Sequence, residues 1–254
     1  MRILTLLGML LAVPAFAADN FIRLDTRPNV KVPVFYMKRD TATATVILLP
    51  GGAGGFERLV GGKPSGRNFL VRSRDYFAQA GLNVAVMGPA SDTRDLGYAE
   101  RVSPEHMQDI KLLVEFLKTD AGLPVWLVGT SRGTVSATAA AISFGNERLA
   151  GIVLTSSVVS HKKSGAVPFQ DLEKIRIPVL VLHHERDRCK VCAPRDVPAI
   201  FAGLKNAPVR KQIFVSGGTD PTGDPCGALH YHGFIGSEES TVELITAWLK
   251  RPSL

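Results

Sequence analysis

The stretch Pro124-Val125-Trp126-Leu127-Val128-Gly129-Thr130-Ser131-Arg132-Gly133 decides how the rest of the chain is read. An apolar run of strand length enters a Gly-x-Ser-x-Gly pentapeptide, and residues 134–143 behind it are small and compatible with a helix. Strand, tight turn and helix in that order make the context of a nucleophile elbow, where glycine two places either side of the serine keeps side chains out of a sharp bend. The Ser131 hydroxyl is then held out above a sheet. Five residues are a weak signal in a chain with 24 glycines, so the flanks carry the assignment.

Outward from that turn, buried apolar runs alternate with amphipathic ones. Residues 21–25 and 32–37, separated by Arg27-Pro28-Asn29, predict an opening antiparallel pair. Residues 44–49, 82–87, 149–154, 177–182 and 212–216 predict further strands, and 68–80, 197–204 and 240–248 predict helices. Another helix opens at Ser103-Pro104, an N-cap followed by a proline that loses nothing by lacking an amide hydrogen. Met107, Ile110, Leu113, Val114 and Leu117 then recur every three or four residues and give it one apolar face. The 254 residues, 45% apolar, fit a single α/β domain with a mostly parallel sheet and helices on both faces. Neither an internal repeat nor a linker divides it.

A serine hydroxyl is a poor nucleophile until a base takes its proton, so the elbow requires a histidine and an acid that orients it. His183-His184-Glu185-Arg186-Asp187 follows the strand at 177–182, and Asp187 is preferred over Glu185 because it lies several residues beyond the strand end. Later, His230-Tyr231-His232-Gly233-Phe234 offers two histidines shortly before the last helix. His232 is preferred, since Gly233 lets the loop turn the ring toward Ser131 and Phe234 can anchor it.

Serine, acid and histidine in that chain order are the order of the α/β-hydrolase family. From the glycine run Pro50-Gly51-Gly52-Ala53-Gly54-Gly55 to the C-terminus, about two hundred residues, the chain resembles a small α/β-hydrolase without a sizeable cap domain. Residues 156–169, where such hydrolases often carry a helical lid, are a short polar loop, so an open site is expected. The resemblance implies acyl transfer to water through an acyl-Ser131, with His232 as base and then acid and Asp187 holding its tautomer. It implies an oxyanion hole of backbone amides, one from Arg132 and one from Gly52, with Ala53 close behind. The family has a His-Gly-x pattern where this chain has Pro50-Gly51-Gly52, which leaves Gly52 and Ala53 both open. An ester-type small-molecule substrate and no cofactor are expected. A peptidase or amidase of the same fold and a binding protein that has kept the fold are the alternatives. Nucleotide binding fails on spacing: both a phosphate loop and a dinucleotide fingerprint would need glycine at 57, where Glu57 stands.

The N-terminus, Met1-Arg2 followed by an apolar run over residues 3–16 and Ala15-Phe16-Ala17, has the form of a secretory signal cut after Ala17. Fourteen apolar residues fall short of the roughly 20 a spanning helix needs. A catalytic domain over 18–254 is therefore expected in the periplasm or outside the cell, with no stable membrane span. Losing Arg2 lowers the net charge from +7 by one, to +6. The cations are dispersed without blocks or interleaved aromatics, which argues for a solvated basic surface and against nucleic-acid binding. Nothing in the sequence fixes the oligomeric state.

In an exported chain, Cys189, Cys192 and Cys226 predict one disulfide and one leftover thiol. Cys189–Cys226 is preferred because it ties the acid loop to the histidine loop, with Cys192–Cys226 next. Cys189-x-x-Cys192 also has zinc-like spacing among His183, His184, Asp187, Cys226, His230 and His232. Its second half is missing and it leaves the elbow unexplained, so no metal is expected.

Overall fold

The computed structural model describes residues 19–253. The signal segment at 1–17 and its cleavage site lie outside the described residues.

The chain opens with a hairpin of β1 (Asp19–Arg27) and β2 (Val30–Met37), in which Phe21 faces Phe35. Six strands follow: β3 (Thr45–Leu49), β4 (Asn83–Met87), β5 (Val125–Thr130), β6 (Gly151–Thr155), β7 (Val179–His184) and β8 (Arg210–Val215). They form one eight-stranded sheet in the order β1-β2-β4-β3-β5-β6-β7-β8. Only the β1–β2 and β2–β4 pairs are antiparallel. The apolar runs read from the sequence are buried on both faces from β3 to β7, which is why they show no polar alternation.

Two layers of helices supply those faces. Ile47, Leu49 and Leu127 point into one core with Ile110, Leu113 and Leu117 of α3 (Pro104–Ala121) and Ala137 and Ala140 of α4 (Arg132–Phe144). Their neighbours Val46, Leu48 and Val128 point into the other, with Phe69 of α1 (Phe69–Arg72), Phe77 of α2 (Arg74–Gln79) and Val242 and Ile245 of α6 (Glu238–Lys250). Strand period two thus splits each strand between two cores. The short α5 (Pro198–Gly203) precedes β8. Helix α3 has the expected ends: the Ser103 side chain accepts from the His106 amide, and Gly122 closes it in the left-handed region (φ 65°).

Two expectations need correcting. The helix expected over 68–80 is two short ones, because the backbone leaves helical geometry at Ser73 (φ −95°, ψ 2°), a residue with little helix propensity. The polar loop before it carries a two-stranded ribbon, Leu59–Val60 against Lys63–Pro64, turned by Gly61 and Gly62, both at positive φ as a tight hairpin turn demands.

The chain runs outward from β3 to β4, then crosses back over β3 to β5. Neighbouring strands β3 and β5 thereby send their following loops in opposite directions, which opens a crevice at their C-terminal ends. The glycine run follows β3 and Ser131 follows β5, so both sit at that crevice. Between β6 and β7 the chain makes two single 3₁₀ turns, Val167–Phe169 and Leu172–Lys174, where a cap domain would be inserted. No helix among the described residues is long and apolar enough to cross a membrane.

Candidate active site

Ser131 occupies a backbone conformation (φ 52°, ψ −125°) that costs a non-glycine residue about 1–3 kcal/mol. Its amide donates to the Thr155 carbonyl at 3.0 Å, and its own carbonyl accepts from the Thr134 amide and hydroxyl. The elbow glycines are sterically obligatory. A Cβ on Gly129 would fall 2.5 Å from the Gly133 carbonyl oxygen, and one on Gly133 would overlap the Leu49 carbonyl. Arg132 is the first residue of α4, so its amide has no acceptor within the helix and is free for a ligand. Its guanidinium lies over the Tyr98 ring, 4.8 Å from the centroid, and donates to the Gly52 carbonyl at 3.4 Å.

Asp187 is buried and fully engaged. One oxygen, Oδ2, meets His232 Nδ1 at 2.8 Å and His183 Nε2 at 3.2 Å, while Oδ1 accepts from the Cys189 amide at 2.8 Å. Burial opposes its charge, but the hydrogen bonds from His183 and His232 outweigh it and hold the carboxyl at about 2. Because Asp187 accepts, His232 Nδ1 carries the proton and Nε2 presents a lone pair. That Nε2 is buried without a protein partner. His230 is also buried, but its ring contacts Tyr231 edge-on and does not reach Asp187; Glu185 is exposed.

The histidine loop is pinned from three sides. Ser156 Oγ donates to the His232 carbonyl at 2.8 Å, Arg72 donates to the Gly233 carbonyl while pairing with Glu238 at 2.8 Å, and Phe234 is fully buried against Phe69. Ser156 and Arg72 have no local sequence signal, since their partners lie 76 and 161 residues away. His183 was legible only as half of a strand-end pair; it bridges Asp187 and the Cys192 carbonyl. Its neighbour His184 stacks on Tyr231 at 4.6 Å, and burial, more than the Arg186 charge, lowers its pKa.

The glycine run is held by Arg101, which is 1% exposed. This guanidinium donates to the carbonyls of Leu96 (3.1 Å), Pro50 (3.0 Å) and Gly52 (3.2 Å) and to Ser136 Oγ (3.1 Å). Among the described residues no carboxylate bonds it. Burial, then the nearby Arg132 charge, pushes it down to about 9, and it remains a cation at neutral pH. The same burial, with Arg101 alongside, takes His106 to about 3, so that ring meets Ser136 Oγ as a neutral imidazole. A trans peptide sets its C=O and N–H antiparallel. Holding the Pro50 and Gly52 carbonyls toward Arg101 therefore turns the Gly51 and Ala53 amides away from it.

Cys189 and Cys226 form a disulfide, which joins the acid loop to the histidine loop. Cys192 is the leftover thiol, buried, with burial and then Asp187 raising its pKa well above the ordinary value. The Ser131 hydroxyl faces this thiol. Cys189, Cys192 and His232 bring ligand-type atoms within 4.8 Å of one another. With the Cys189 sulfur in the disulfide and His232 Nδ1 on Asp187, that trio offers no three-ligand set while the bond is intact. The bridge closes a loop with a sequence separation of 37, worth about 4 kcal/mol by the chain-entropy model. Cys226→Ser is expected to lower Tm by several degrees in thermal melts, and an unchanged Tm would contradict the bracing role.

Ser131, His232 and the glycine run line one open cleft of about 610 Å³, with Asn68, Arg67, Glu57, Leu229 and Asp224 around its walls.

No protein-family model and no curated protein sequence matches the chain. Solved structures do. An α/β serine hydrolase homologue from Coxiella burnetii superposes with a TM-score of 0.65 at 16% identity, covering 92% of this chain and 99% of that one. A dienelactone hydrolase from Anabaena variabilis gives 0.60 at 15% identity (92% and 97%), and a Pyrococcus furiosus esterase gives 0.66 at 14% (92% and 91%). The chain therefore has the α/β-hydrolase fold.

Proposed function

We propose that the chain is an exported serine hydrolase that cleaves an ester-type acyl bond, with Ser131, His232 and Asp187 as its triad. The observation that carries it is the buried Asp187–His232 hydrogen bond at 2.8 Å, which leaves His232 Nε2 as a lone pair in the cleft where the strained Ser131 sits. Structural neighbours that are serine hydrolases and esterases support the same reading.

The reaction requires the Ser131 hydroxyl, which faces Cys192, to turn to the unpartnered His232 Nε2. The base takes the proton as Oγ attacks the acyl carbon, and the carbonyl electron pair moves onto oxygen. The Arg132 amide meets that oxyanion from one side. Gly52 or Ala53 meets it from the other, and the hold of Arg101 on the Gly52 carbonyl favours Ala53. The carbonyl then re-forms as the bond to the alkoxy oxygen breaks, that oxygen leaves as the alcohol with the proton from His232, and water repeats the sequence on the acyl-serine. Asp187 keeps the proton on Nδ1 throughout, and no cofactor is required.

Turnover of short nitrophenyl esters, set against the matching anilides, tests the ester assignment. Ester turnover above buffer at a rate exceeding the anilides is expected. Faster anilide cleavage would move the chain to the amidases, and no turnover of either would overturn the hydrolase proposal. Export belongs to the same proposal, and N-terminal sequencing of the exported protein is expected to begin at Ala18.

A further inference from the structure

The oxyanion site described so far consists of backbone amides. We propose that the side-chain amide of Asn68 is a further oxyanion donor, a catalytic residue that touches the reacting oxygen. The inference rests on the hydrolase reading above.

Asn68 has one orientation. It is the N-cap of α1, and its Oδ1 accepts from the Leu70 amide at 3.1 Å. An amide has one acceptor arm and one donor arm, so the capping bond assigns oxygen and nitrogen without ambiguity. The Nδ2 arm lies on the side of Gly51 and the cleft. A Cβ built on Gly51 would lie 2.9 Å from Ser131 Cβ, 3.0 Å from the Thr130 carbonyl oxygen and 3.4 Å from Asn68 Nδ2, so the donor lies just across Gly51 from the serine. Any side chain at 51 would be wedged between them. Asn68 is half-buried and lines the cleft with Ser131 and His232, and among the described residues its Nδ2 donates to no protein acceptor.

A capped, rotationally fixed donor with no partner, in the cleft of the attacking serine, has the properties that oxyanion stabilisation needs: it is aimed before the charge develops and requires no reorganisation when it does. As the Oγ–carbon bond forms and the carbonyl pair moves onto oxygen, an Asn68 N–H hydrogen-bonds that oxygen. No proton or bond is transferred to or from Asn68.

The cap and the donor separate by mutation. Asn68→Ser keeps a good capping oxygen and removes the donor; Asn68→Asp keeps the cap and the shape and replaces NH₂ with an acceptor. For nitrophenyl ester hydrolysis, Asn68→Ser is expected to lower kcat by about 100-fold, with KM and Tm little changed. Asn68→Asp is expected to fall at least as far, and the rate at which a fluorophosphonate phosphonylates Ser131 is expected to drop in parallel. Ester kinetics of both variants near wild type would overturn the inference. So would a raised KM with kcat intact, which would make Asn68 a substrate-binding group, or a fall in Tm that accounts for the lost activity. Failure of the wild-type protein to turn over ester or label would overturn the hydrolase reading with it. An active wild type matched by Asn68→Ser would overturn the Asn68 role alone.

Discussion

Ser131→Ala is expected to lower kcat for a nitrophenyl ester by about 10³ to 10⁶-fold, leaving only what the oxyanion donors and binding supply. The size of the effect follows from the absence of a substitute. The Cys192 thiol faces Ser131, but burial and Asp187 keep it protonated, so it does not take over as nucleophile. Stability is expected to change little, within about 0.5 kcal/mol as for substitutions that break no buried network. The elbow is held by the Ser131 main chain, through Thr155 and Thr134, and by the bare glycines at 129 and 133. Alanine keeps all of these contacts. Steady-state kinetics with a thermal melt on the same sample checks both halves, and a variant as active as wild type would show that another residue attacks.

Asp187→Asn is expected to cost about 10⁴-fold in kcat through a different route. The substituted amide can donate to His232 Nδ1, which moves the ring proton to Nε2 and leaves no lone pair for Ser131. The same variant carries a pH signature. The carboxyl sits at about 2 in the folded chain, below its ordinary value of 3.8. A depressed folded pKa contributes stability that is present above the unfolded pKa, roughly 4, and is lost as pH falls through about 2. The contribution is about 2 kcal/mol at neutral pH. Urea unfolding of wild type and Asp187→Asn is therefore expected to show a stability gap at pH 6 that narrows at pH 2.5. A gap independent of pH would mean that Asp187 is not held down by its histidines.

What could be read from the sequence was what short-range physics writes there. Buried parallel strands are continuous apolar runs, the cap at Ser103-Pro104 is a two-residue signal, and an elbow glycine is required by its immediate neighbours. The preference for Asp187 and His232 rests on where each stands in its loop after the elbow, and that for Cys189–Cys226 on tying those loops together; the structure pairs Asp187 with His232 at 2.8 Å and bonds the two cysteines. The supports were hidden because nothing near them in the chain announces their partners. Arg101 looked like one of 30 basic residues dispersed over the sequence, yet it is buried on the carbonyls of residues about 50 positions earlier. Ser156 and Arg72 grip the histidine loop from far along the chain, and the sequence around Asn68 marks only the start of a helix, while its free amide lines the cleft with Ser131. The break at Ser73 escaped notice because apolar periodicity continues across it, from Phe69 and Leu70 to Phe77.

Fluorophosphonate labelling of the disulfide-intact protein, followed by peptide mapping, tests the central claim most directly. The expected result is one adduct on the peptide containing Ser131, absent from Ser131→Ala. No adduct in folded protein, or an adduct on another serine, would contradict a Ser131–His232–Asp187 hydrolase.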